Sequence, residues 1–132
     1  MIYKPNLWLC FTSATFFATS YYGHRKQNFL HQLDTLHAIS SLIYWSDPSN
    51  GFKRAVDVFI SNVAGASFAI YGYRFIRSRF KTFAYINGFF MFSSFGASYI
   101  MYSYNNPYWI CAHMSFHLFV VVNKMLTYNC DI

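Results

Sequence analysis

The chain has 132 residues, enough for a single domain, of which 55% are hydrophobic, 23% aromatic and only 11% charged. Soluble domains carry about 25% charged residues, so charge cannot cover a globular surface here and the composition is that of an integral membrane protein. The net charge of +6 does not point to nucleic acid, because the basic residues sit between apolar segments and no nucleic-acid motif accompanies them.

The first apolar segment covers residues 7–22. Lys4, the apolar run that follows and Ala18-Thr-Ser20 also have the layout of a signal peptide, an expectation that stands beside an uncleaved first helix. A second segment covers 29–45, and Ser46-Asp-Pro-Ser-Asn-Gly51 after it is a dense turn signal. The third and fourth segments cover 55–73 and 83–104. Each holds a small-residue triplet, Gly65-Ala-Ser67 and Gly96-Ala-Ser98, where helices pack closely within a chain or between partners, so a homo- or hetero-oligomer is an expectation. Asn105-Asn106-Pro107 breaks the chain, with Pro107 suited to the first turn of a last segment at 108–128. A spanning helix needs about 17–25 residues, which the last three segments reach and the first two approach. None alternates with period two. The expected fold is therefore all-α: one domain over residues 1–132, an integral membrane bundle of about five transmembrane helices in contact with membrane lipids. Tyr21, Tyr22, Tyr44, Trp45, Tyr108 and Trp109 lie at segment ends, as an aromatic belt does.

Five crossings put Arg25, Lys26, Arg74, Arg77, Arg79, Lys81 and Lys124 on one side, and Lys4, Lys53 and Arg54 on the other. The heavier side is expected in the cytoplasm, together with the C-terminus. The cluster from Arg74 to Lys81 reads first as topology charge, with a lipid-phosphate site as the functional alternative. Cys10, Cys111 and Cys130 have no CxxC spacing and read as small hydrophobes.

The chemically informative residues are polar groups inside these segments: Ser20-Tyr-Tyr-Gly-His24, Asp34, and His113-Met-Ser-Phe-His117. Ionisable groups are costly in apolar surroundings, so several together suggest a metal or proton site. Residues four apart share a helix face, which pairs Ser20 with His24 and His113 with His117. Three neutral imidazoles, His24, His113 and His117, leave a fourth zinc position for water. Asp34 then serves as general base and Ser20 stabilises an oxyanion. His31 is expected at the interface, and His37 as a hydrogen-bond donor within the bundle. Asp57 and Asn62 line a polar path or, more commonly, bond between helices.

This order of elements resembles the CREST superfamily, which includes alkaline ceramidases, the progestin and adiponectin receptors and the hemolysin III proteins. Ser20 to His24 looks like its first motif, Leu33-Asp34 with the residues after it like its second, and His113 to His117 like its last. The resemblance implies a zinc ion held by the three histidines, Asp34 and Ser20 around its water, and hydrolysis of a lipid amide or ester. Members usually have seven helices. A chain of five puts His113 on the side opposite His24, about 9 Å past Pro107, too far across a core of about 30 Å to share an ion. The zinc site therefore requires that one segment fail to cross, or that the fourth break near Gly88 or Gly96. Two other readings stand beside it: a non-catalytic multi-pass protein whose polar residues lock helices together, and a small haem-binding subunit with one histidine from each of the second and last helices.

Overall fold

The computed structural model describes residues 6–49 and 51–130, and these fold into five α-helices. Helix α1, Leu7–Arg25, starts where the Asn6 side chain accepts a hydrogen bond from the Leu9 amide, the usual remedy for an unpaired first-turn donor. It ends in a tight turn with Gln27 at a φ of 54°, and Asn28 Oδ1 accepts from the Leu30 amide to launch α2, Leu30–Ser46. Gly51, at a φ of 135°, precedes α3, Phe52–Phe75; side chains rarely adopt that backbone conformation. A single 3-10 turn at Ser78–Phe80 leads into α4, Lys81–Ser103, and α5 runs from Trp109 to Tyr128.

Two expectations about breaks need correction. Pro107 lies in the turn before α5 rather than in its first helical turn, and the Asn106 side chain accepts from the Tyr108 amide there. Helix α4 runs unbroken through Gly88 and Gly96.

Helices α1, α2, α3 and α5 form the bundle, and α4 packs along α5. Contacts Thr12–His117 and Tyr22–Asn129 join positions 105 and 107 residues apart, a near-constant offset, so α1 and α5 run parallel side by side. Helices α1 and α5 come close at Gly23, where an added Cβ would lie 2.4 Å from the Tyr128 ring. Gly72 meets Thr127 in the same way, at 2.8 Å. The triplet glycines Gly65 and Gly96 have no other part of this chain within 4 Å of an added Cβ.

Polarity is inverted relative to a soluble domain. Thr12, Thr19, Asp34, His37, Asp57, His117 and Lys124 are buried, while Phe59, Ile70, Phe89, Phe92 and Tyr99 are exposed. Small apolar clusters close the two ends of the core. Leu9, Tyr44 and Trp45 form one, packed against Trp109; Leu30, Phe68 and Tyr128 form the other. Two helices, Phe52–Phe75 and Trp109–Tyr128, are long and apolar enough to cross a membrane.

Candidate functional site

The interior of the bundle is organised by an ion pair. Lys124 of α5 donates from Nζ to Asp34 Oδ1 of α2 at 2.5 Å, with both side chains almost wholly excluded from solvent. The other carboxylate oxygen, Asp34 Oδ2, accepts from Thr19 Oγ1 of α1 at 2.7 Å and from the Tyr128 hydroxyl of α5 at 2.9 Å. Lys124 Nζ also donates to His37 Nδ1 at 3.0 Å and stands 3.8 Å from the centroid of the Phe16 ring. A buried ammonium is tolerable only with such company: a paired charge, hydrogen-bond acceptors and an aromatic face.

From this centre the polar groups continue along α5 toward its N-terminus. His37 stacks on Phe16 at 4.7 Å between centroids, and His117 packs against the same ring at 5.2 Å. His117 Nδ1 shares a hydrogen bond of 2.8 Å with Thr12 Oγ1. His113 follows, 4.8 Å from His117 between ring centroids, with Ser98 Oγ of α4 at 3.3 Å and an aromatic collar of Trp45, Phe95 and Trp109. Among the described residues, Ser13 Oγ is the one buried side-chain polar atom with no hydrogen-bond partner. The network is closed almost completely on itself.

The structure does not bring the five expected site residues together. His24 is exposed at the end of α1, where its ring meets the edge of His31 at 5.0 Å. His117 touches Thr12, and His24 lies twelve positions further along the same helix, about 18 Å away at 1.5 Å per residue. Zinc–nitrogen bonds are about 2.0–2.1 Å, so these imidazoles cannot share an ion. Ser20 donates to the His31 carbonyl at 2.9 Å and meets the Thr35 hydroxyl, while its neighbour Thr19 holds Asp34. One residue along a helix turns the side chain by about 100°, enough to separate the two roles. Asp34 faces Lys124 rather than a water-binding position. Among the described residues, no group of three or more His, Cys, Asp or Glu side chains is placed to hold a metal ion. The donor set does not fit zinc in this arrangement.

The haem alternative fares no better in geometry. His37 and His117 do come from α2 and α5, but both pack on the fully buried Phe16 ring, where a macrocycle would have to sit. His37 Nδ1 is engaged by the Lys124 ammonium at 3.0 Å. Asp57 accepts from Ser40 Oγ at 3.1 Å and Ser41 Oγ at 2.8 Å, the interhelical bonding that was the commoner expectation, and Asn62 is exposed.

Sequence reasoning used Lys124 only as a charge at one end of the bundle and did not place it in the polar core. A signal for its burial exists. Lys124 is seven positions after His117 and four before Tyr128, so these residues continue one helix face. No family model matches the chain, and no curated protein or solved structure matches it either.

Proposed function

We propose that this chain is an integral membrane protein with five crossings that acts as a non-catalytic multi-pass subunit, its polar core fixing the register of α1, α2 and α5. The observation that carries this reading is the inverted distribution of polarity. Lys124 and Asp34 are 2% and 0% exposed, whereas Phe89 and Phe92 on α4 are each 69% exposed. A surface of that kind is stable against lipid and unstable against water. The orientation follows from charge. Arg25, Lys26, Arg74, Arg77, Arg79 and Lys81 gather at the end where α1 and α3 finish. Lys53 and Arg54 lie at the other end with Asp47, which pairs with Lys53. The heavier basic end, with the C-terminus, belongs on the cytoplasmic side.

Buried ion pairs often add little net stability but set which helix faces meet, because either partner alone is strongly unfavourable. The experiment is a double-replacement cycle in the full chain, expressed in membranes and purified in detergent. Asp34→Leu and Lys124→Met should each reduce the yield of folded protein severely, while the double variant recovers most of it. Recovery by the double variant supports the role as a helix lock. Failure to recover, or purified wild type carrying stoichiometric zinc, overturns the non-catalytic reading.

A further inference from the structure

The outer face between α2 and α3 is a mostly apolar groove with one arginine at its end. Its volume is about 570 Å³, within the range of about 300–1,000 Å³ that small-molecule sites occupy. Leu33 and Leu36 of α2 form one wall, and Ser67, Ile70 and Tyr71 of α3 the other. On α3, Ser67, Ile70, Tyr71 and Arg74 are spaced i, i+3, i+4 and i+7, so one helix face lines the groove over about 10 Å. At one end, Arg74 in the last turn of α3 and Gln32 of α2 bring charged and amide groups in among Phe29, Leu30 and Phe75.

Arg74 is exposed, and no acidic side chain among the described residues pairs with it; its guanidinium lies 5.5 Å from the centroid of the Phe75 ring. The described acids are all committed elsewhere: Asp34 to Lys124, Asp47 to Lys53, and Asp57 to the serines of α2. The basic residues Arg77, Arg79 and Lys81 follow directly in the connection to α4. A forked guanidinium with free donors, a carboxamide beside it and an apolar trough leading away match the parts of one molecule: a phosphate joined to an acyl chain.

We propose that the α2/α3 groove is a binding site for an anionic phospholipid, with one acyl chain along Leu33, Leu36 and Ile70 and the phosphate on Arg74 and Gln32. The site rests on the membrane reading given above, since its occupant comes from the bilayer leaflet at the basic end. It differs from general attraction of anionic lipid to basic loops in having a shaped trough and a single gatekeeping arginine.

The test is native mass spectrometry of the full-length protein released from bilayers of equal phosphatidylglycerol and phosphatidylcholine. Wild type should retain one phosphatidylglycerol in preference to phosphatidylcholine. Arg74→Gln removes charge-assisted hydrogen bonds and should weaken that retention by about tenfold or more. Leu36→Trp, which fills the trough and leaves every basic residue in place, should abolish it. Arg79→Gln, a change in the basic cluster outside the groove, should leave it close to wild type. Equal loss in Arg74→Gln and Arg79→Gln, or retention unchanged by Leu36→Trp, overturns the site in favour of diffuse charge attraction. Carbonate extraction of each variant separates the two claims. Protein that washes off membranes defeats the membrane reading itself, whereas protein that stays embedded without a lipid preference defeats only the groove.

Discussion

Two buried carboxylates sit on this bundle, and they are satisfied in different ways. Asp34 faces an ammonium, a threonine and a tyrosine contributed by α5 and α1, so one side chain ties three helices together. Asp57 is surrounded by hydroxyls alone: Ser40 and Ser41 from α2, with Ser61 one turn on in its own helix. Its bonds therefore join only α2 to α3. The same residue type thus performs two tasks. Asp34, in the second turn of α2, meets a full countercharge, while Asp57, in the second turn of α3, is held by neutral donors.

Breaking the central pair should have the largest effect. Lys124→Met leaves Asp34 charged and buried without its counterion, and should cost about 3–5 kcal/mol in unfolding from mixed detergent micelles. A variant as stable as wild type would remove the distinction between the two carboxylates. Stripping Asp57 of both α2 donors with the double change Ser40→Ala and Ser41→Ala should cost less, about 1–3 kcal/mol. Its signature should be increased hydrogen exchange confined to α2 and α3; if exchange rises equally in α5, Asp57 is coupled to the core after all. Smallest of the three is Thr19→Val, which removes one of three donors to Asp34 while preserving shape. A loss of about 1 kcal/mol is expected in the same unfolding assay, and a loss as large as that of Lys124→Met would mean that the hydroxyl rather than the ammonium dominates.

Much of the secondary structure was legible in the sequence, because uninterrupted apolar length and turn residues are local signals. Residues 55–73 grew to Phe52–Phe75 and residues 83–104 became Lys81–Ser103, shifts of a few residues at frayed ends. The site was less legible. Motif spacing placed Ser20 and His24 on one face, but the register between α1 and α2 turned Thr19 toward Asp34 and left Ser20 on the His31 carbonyl. Register between helices depends on loop geometry and interlocking side chains, and no local pattern encodes it. The conflict between His24 and the His113/His117 pair, by contrast, was visible from counting crossings. The parallel arrangement of α1 and α5 now gives it a physical form. Lys124 was hidden by its own chemistry, since a lone lysine near a helix end ordinarily reaches for the interface.

The central ion pair also has a history within each molecule. Asp34 and Lys124 are ninety residues apart in the chain. At a synthesis rate of about 5–20 residues per second, Asp34 waits roughly 5–18 s for its countercharge to be made. Through that interval α2 carries Asp34 without Lys124, and α1 carries Thr12 and Phe16 without the α5 residue His117 that packs on them. The Asp34–Lys124 pair can therefore form only once α5 has been made.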